Sequence, residues 1–175
     1  ILSEGQRLSR LIGNVLTFAR QKRQTLQLQP RDEVPGKLIQ QIVDRFRPAF
    51  VEQKIDIQLT CDKESSLRMD PDFLEQILGN LISNVEKYAA GGGLLNINST
   101  VADGLLTVDV RDAGGGIAAA NRKTVFQSFA RVSNDVSYAA GTGIGLPIAR
   151  ELARLHGGDV VLVDSDKGCC FRATM

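Results

Sequence analysis

Three stretches of this 175-residue chain carry side chains whose types and spacing could do chemistry. The first is Asn80-Leu-Ile-Ser-Asn-Val-Glu-Lys-Tyr88. At 100° per residue, Asn80, Asn84 and Lys87 fall within about 60° of one another on a helix, beside an apolar stripe of Leu74, Ile77, Leu78, Leu81, Ile82 and Val85. Amide oxygens are hard, neutral ligands suited to Mg2+, which is held jointly by protein and substrate phosphates, and a lysine adds a point charge for those phosphates. An amphipathic helix with an ordinary polar flank would show the same residues, so the two stretches downstream decide between the readings.

The second stretch is Asp112-Ala-Gly-Gly-Gly-Ile117, a carboxylate at a strand end followed by three glycines. Such a turn lets a flat ligand approach the main chain, and the carboxylate can accept from an exocyclic amine of the kind adenine carries. The third is Gly141-Thr-Gly-Ile-Gly-Leu146 ahead of a helix with Ile144, Ile148, Ala149, Leu152 and Leu155 on one side. Amides at a helix N-terminus present unpaired donors and the positive end of the dipole, a ready phosphate site. No Gly-Lys-Ser/Thr follows, so this is no Walker A loop, and the glycine spacing is not that of a dinucleotide fingerprint. Between the two glycine clusters lie Phe126-Gln-Ser-Phe129-Ala-Arg131 and a Ser-, Asn-, Asp- and Ala-rich run, Val132 to Ala140. That run reads either as a lid with Arg131 at its hinge or as a plain surface loop.

The elements that must position these residues follow from periodicity. Residues 1 to about 27 carry Leu8, Leu11, Val15 and Phe18 at 3-4-3 spacing, joined by Ile12, Leu16 and Ala19, the stripe of a bundle helix that must be buried on its own domain or on a second chain. Pro30 and Pro35 place a boundary near residue 30. Leu38, Ile39, Ile42, Val43, Phe46 and Phe50 predict a second helix that Pro48 kinks or ends. Ile55, Ile57 and Leu59 alternate as a strand, Ser66 to Met69 allow another, and Gly91-Gly92-Gly93 close the asparagine helix. Leu95, Ile97, Ser99 and Leu106, Val108, Val110 form a hairpin around Ala102-Asp103-Gly104. Helices and mostly antiparallel strands are segregated, so the expected fold class is α+β, a two-layer α/β sandwich preceded by a bundle helix.

Composition bounds the rest. Hydrophobic residues make up 43% and charged residues 23%, enough for one core, and a net charge of +1 gives no field that would favour nucleic acid or an anionic membrane. No apolar run approaches the roughly 18 residues of a membrane span. Three cysteines, two adjacent (Cys169, Cys170), suit neither a disulfide framework nor zinc, and read as reduced thiols of a cytoplasmic protein. A chain starting at Ile1 inside a helical pattern is expected to belong to a longer parent. His156, the only histidine, precedes Gly157-Gly158 at a helix end, where it is expected to cap carbonyls and meet the negative end of the dipole.

The order Asn80-X3-Asn84-X2-Lys87-Tyr88, Asp112-X-Gly114-X-Gly116-Ile117, Phe126-X2-Phe129-X-Arg131 and Gly141-Thr-Gly-X-Gly-Leu146, closing with His156-Gly-Gly158, resembles the N, G1, F and G2 boxes of bacterial sensor histidine kinases. The resemblance implies a Bergerat-type ATP-binding fold, a mixed sheet with three helices on one face, over residues 31–175. Residues 1–30 are similar to the second helix, with its linker, of that family's dimerisation and phosphoacceptor hairpin. It implies ATP and Mg2+ as cofactors: Asn84 on the metal, Asn80 and Lys87 on the phosphates, and Asp112 on the adenine amino group with Gly114, Gly116 and Ile117 around the base. Tyr88 would border the nucleotide, Arg131 approach the γ-phosphate, and Thr142, Gly143, Ile144, Gly145 and Leu146 hold the phosphates. Asn80, Lys87 and Arg131 are thus the catalytic candidates.

The resemblance also implies transfer of the γ-phosphoryl group to a histidine outside these residues and then to a response regulator aspartate. A homodimer through the first helix, and membrane association only through segments outside this sequence, complete the picture. Two departures stand out: Cys169 and Cys170 follow Gly168 where relatives usually have Thr or Ser, and Gly115 occupies a position usually bulkier. Another ATPase of the same fold, or a non-enzymatic dimerising scaffold with a vestigial nucleotide site, are the alternative functions.

Overall fold

The computed structural model describes residues 2–22, 26–130 and 143–175. Helix α1 (Leu2–Lys22) leads, and residues 26–30 run on without regular structure. Strand β1 (Arg31–Glu33), helix α2 (Pro35–Glu52), strands β2 (Asp56–Cys61) and β3 (Leu67–Met69) and helix α3 (Pro71–Tyr88) follow. Strands β4 (Leu94–Ala102) and β5 (Leu105–Asp112), helix α4 (Gly145–Leu155) and strands β6 (Val160–Val163) and β7 (Cys170–Thr174) complete the chain.

The main sheet is mixed, in the order β2-β4-β5-β7-β6, with β2 parallel to β4 and every other pair antiparallel. Helices α2, α3 and α4 contribute the apolar layer packed on it: Ile39, Phe50, Leu74, Ile77, Leu81, Ile148 and Leu152 share one core with Leu95, Ile97, Leu106, Val108 and Val110. This is the expected two-layer α+β arrangement. The β4–β5 hairpin turns through Asp103 and Gly104, both at positive φ, as a tight primed turn demands. Strands β1 and β3 form a separate antiparallel ribbon.

Of the two outcomes expected at Pro48, it does not end α2: the helix continues to Glu52 and buries Phe50 completely, because one absent N–H removes one bond of the ladder and packing holds the remaining turn. The first helix is described from Leu2 to Lys22, and residues 26–30 have no regular structure. Along α1, Phe18 packs against the core, while Leu8, Ile12, Val15 and Leu16 stay about half exposed. Most of the apolar stripe therefore finds no cover within this chain among the described residues.

Candidate functional site

Helix α3 starts where its sequence says it should. The Asp70 carboxylate accepts from the backbone N–H groups of Asp72 and Phe73, Pro71 fits the first turn, and the same carboxylate accepts from Gln29 N–H at 2.8 Å, tying the segment after α1 to the helix. The helix carries Asn80, 7% exposed, and the half-buried Asn84 and Lys87 on one edge, with Tyr88 half exposed at its end. Glu86 turns away and meets Arg10 of α1 at 3.7 Å.

Strand β5 delivers the carboxylate. Leu106, Val108 and Val110 alternate inward, and the period of two puts Asp112, paired with Leu95, on that same inner row at the sheet end. Gly114 N–H donates to Asp112 Oδ1 at 2.8 Å and Cys169 N–H to the same oxygen at 3.3 Å. Among the described residues nothing donates to Oδ2. Burial pushes the Asp112 carboxyl above its ordinary value, and the two amide donors only partly offset this. The glycines around it are required: a Cβ on Gly168, at φ +68°, would stand 2.1 Å from the Asp112 carbonyl oxygen, and one on Gly114 2.8 Å from the Ala89 methyl at the end of α3.

The third piece is the start of α4. Ile144 occupies the cap position without a side-chain hydrogen bond, so the first-turn amides keep their donors free of a cap. Gly145 lies directly on α3, where a Cβ would come within 3.2 Å of Asn80 Oδ1. Gly143, at φ +68°, abuts Phe129 and Ala130, and Phe129 itself holds a positive φ of 66°. Phe126 is held from two sides, with the Arg150 guanidinium 4.7 Å from its ring centre and Phe171 edge-on at 6.2 Å. Arg150 is fixed in turn by a two-point pair to Asp159, at 2.7 and 2.9 Å, which lowers the Asp159 carboxyl to about 2.

Thus α3 meets the α4 N-terminus at Asn80 and Gly145, and its end meets the Asp112 turn at Ala89 and Gly114. Gly116, at φ +74°, and Ile117 lie in that turn, with Ile117 packed on the core, while Ile144 is buried and Leu146 partly so. Arg131 and Thr142, and the lid expected over Val132 to Ala140, lie outside the described residues. Among the described residues no cluster of three or more His, Cys, Asp and Glu could hold a metal. A cation here would rest on the Asn84 amide and on ligand oxygens, which suits Mg2+.

His156 occupies the C-cap position of α4, where its backbone N–H donates to the Ala153 carbonyl, but among the described residues its ring donates to no α4 carbonyl and serves instead as an acceptor for the start of α3. Its Nε2 takes the Asp70 N–H at 3.2 Å and its ring stands edge-on to Phe73 at 6.0 Å. Burial lowers its pKa, so it is a neutral imidazole and not the cation at a dipole end that the sequence suggested. Cys169 is buried, and burial together with the Asp112 charge pushes its thiol up to about 11, far from thiolate reactivity. Sequence reasoning missed Asn14, Thr17 and Gln76: Asn14 Nδ2 donates to Asn80 Oδ1 at 2.7 Å, and Gln76 Nε2 donates to Asn14 Oδ1 and Thr17 Oγ1. No local pattern signals a contact 66 residues apart.

Residues 69–175 match the model of the histidine kinase-, DNA gyrase B-, and HSP90-like ATPase family. Sensor histidine kinase WalK of Bacillus subtilis is 30% identical over 161 residues, covering 90% of this chain and 26% of that protein. The adaptive-response sensory kinase SasA of Synechococcus elongatus is 28% identical, covering 99% of this chain and 45% of the relative. The chain therefore spans less than half the length of these curated relatives.

Among solved structures, full-length ShkA in complex with AMPPNP superposes with a TM-score of 0.78 at 26% identity, over 98% of this chain and 36% of that one. The Acinetobacter baumannii histidine kinase AdeS gives the same TM-score at 21% identity, over 99% of this chain and 80% of that one, a likeness of fold. With the family model spanning the asparagine helix, both glycine turns and the strands between them, the chain belongs to the histidine kinase-, DNA gyrase B-, and HSP90-like ATPases.

Proposed function

We propose that residues 31–175 bind ATP with Mg2+ and serve as the catalytic domain of a sensor histidine kinase, with residues 1–30 as the second helix and linker of its dimerisation and phosphoacceptor hairpin. The observation that carries this reading is the meeting of three pieces at α3: the α4 N-terminus against Asn80, the Asp112 turn against Ala89, and the Asn84 edge between them. The AMPPNP held by ShkA supports a nucleotide triphosphate as ligand.

Asp112 accepts the adenine amino group through Oδ2, since its other oxygen is taken by Gly114 and Cys169 amides. Gly114, Gly116 and Ile117 border the base and Tyr88 the nucleotide edge. Asn80, Lys87 and the backbone from Thr142 through Gly143, Ile144, Gly145 and Leu146 hold the phosphates, and Arg131 approaches the γ-phosphate. Asn84 holds the magnesium ion, which when bound neutralises phosphate charge and orients the triphosphate. Phosphoryl transfer asks mainly for positioning and charge stabilisation, which these groups supply. The bond formed joins the γ-phosphorus to an imidazole nitrogen of a histidine outside these residues. The bond broken is that to the β,γ-bridging oxygen, whose electron pair leaves with ADP. The phosphoryl group then passes to an aspartate of a response regulator receiver domain.

The exposed stripe Leu8, Ile12, Val15 and Leu16 on α1 fits self-association of the intact protein as a homodimer. No helix among the described residues is long and apolar enough to cross a membrane. A cytoplasmic location, with membrane attachment only through other segments, accords with that.

Isothermal titration of the chain with Mg-ADP tests the site. One site is expected, weakened about tenfold or more by Asn84→Ala or Asp112→Ala, a loss on the scale of one charged or metal-borne contact. Binding that neither substitution alters would remove those roles.

A further inference from the structure

Helix α1 engages α3 through polar residues, and it does so at Asn80 itself. Asn14 Nδ2 donates to Asn80 Oδ1 at 2.7 Å, and Asn14 Oδ1 accepts from Gln76 Nε2 at 3.2 Å. Gln76 also exchanges hydrogen bonds with Thr17 Oγ1 at 2.8 and 3.0 Å. Around this polar knot, Arg10 lies 4.8 Å from the Phe46 ring centre and Phe18 stands edge-on to Phe129 at 5.8 Å. The Asn80 amide is thereby occupied on its oxygen. Its Nδ2 is enclosed and, among the described residues, has no hydrogen-bond partner.

A buried amide nitrogen without an acceptor is costly and rare, and marks a group that is satisfied in another state of the molecule. An enclosed Nδ2 offers no phosphate oxygen a place to accept, so a nucleotide needs the Asn80 amide to turn or its surroundings to shift, and the bond from Asn14 to Oδ1 pins that amide in its present orientation.

We propose that Asn14 is a latch on the nucleotide site: by hydrogen-bonding Asn80 it closes that residue, so docking of α1 on α3 and binding of a nucleoside phosphate oppose each other. This rests on the reading of Asn80 as a phosphate-binding residue. Because coupling is reciprocal, a latch that weakens nucleotide binding must itself be loosened by nucleotide. The stripe Leu8, Ile12, Val15 and Leu16 is exposed in the docked state, so α1 can be held by the latch and by a second helix at the same time.

The test uses the whole chain, Mg-ADP and two variants. Asn14→Ala removes the latch with a good helix former, and Thr17→Val weakens it at one remove through Gln76. Asn14→Ala is expected to bind Mg-ADP about 5- to 20-fold more tightly, within the usual range of couplings between sites, and Thr17→Val to tighten it less. In the unsubstituted chain, saturating Mg-ADP is expected to speed backbone amide exchange over Asn14–Phe18. Equal or weaker binding by Asn14→Ala, or unchanged exchange in α1 on saturation, overturns the latch while leaving the nucleotide site standing. Failure of both the unsubstituted chain and Asn14→Ala to bind Mg-ADP defeats the nucleotide reading itself, and the latch with it.

Discussion

Phe129 donates its backbone N–H to the carbonyl of Gly143 at 2.9 Å, joining the segment after β5 to the residue just ahead of α4. The contact exists because both residues hold positive φ and because Gly143 has no side chain: a Cβ there would stand 2.9 Å from Phe129 Cα. Gly143→Ala therefore forces the two strands of chain apart. It is expected to cost about 1–3 kcal/mol of stability and to weaken Mg-ADP binding, read by thermal melting and titration; a variant with unchanged affinity would detach this clasp from the phosphate site.

The Asp112 carboxyl is raised by burial, so its ionisation opposes folding. Stability from this group is fully present below the ordinary carboxylate range and is lost as pH rises through its folded value. Asp112→Asn keeps an oxygen for the Gly114 and Cys169 amides and removes the charge. The nucleotide-free variant is expected to melt above the parent at pH 7 and to lose that advantage below about pH 3.8, while binding Mg-ADP more weakly at neutral pH. A variant that melts below the parent at pH 7 would show that the charge is not a burden.

His156 gives the opposite slope at a higher pH. Burial lowers its pKa, so it contributes stability above its ordinary value near 6.5 and loses that contribution as pH falls through the lower, folded value. Protonation also removes the lone pair that accepts the Asp70 N–H. His156→Gln, which retains an acceptor, is expected to flatten the stability profile between about pH 7 and 5. Denaturant melts across that window give the answer, and an equally sloped variant would assign the titration elsewhere.

The Arg150–Asp159 pair reports on a different range. The Asp159 carboxyl, lowered to about 2 chiefly by the Arg150 hydrogen bonds, adds stability above the ordinary carboxylate range that is lost as pH falls toward its folded value. Both partners are about 30% exposed, so Asp159→Asn is expected to cost only about 1 kcal/mol. The larger consequence is positional, because Arg150 lies on the Phe126 ring. Arg150→Ala should therefore lower Mg-ADP affinity more than Asp159→Asn does; equal effects would reduce Arg150 to its ion pair.

Much of this was legible in the sequence, for local reasons. The β4–β5 hairpin announces itself through Leu106, Val108 and Val110 alternating after Asp103-Gly104, and α3 through Asp70-Pro71 ahead of a period of 3.6. The described residues of the proposed site stand at a helix edge or a glycine turn, where type and spacing carry the message. Strand β1 was not legible: Arg31-Asp32-Glu33 is wholly polar and is a strand only because its backbone pairs with Leu67–Met69. The parallel pairing of β2 with β4 and the docking of Asn14 on Asn80 join residues far apart in sequence, where no periodicity reaches. The role of His156 turned on burial, which a helix-end position does not disclose.

The strand order β2-β4-β5-β7-β6 puts the last described strand in the interior of the sheet, between two that precede it in the chain. As the polypeptide leaves the ribosome, β5 and β6 have no mutual edge to join, and Asp112 lacks the amide of Cys169, until residues 169–174 arrive. The Asp112 carboxylate thus gains the second of its two amide donors only when β7 emerges, so a nascent chain halted just short of Cys169 would hold that oxygen by the Gly114 amide alone.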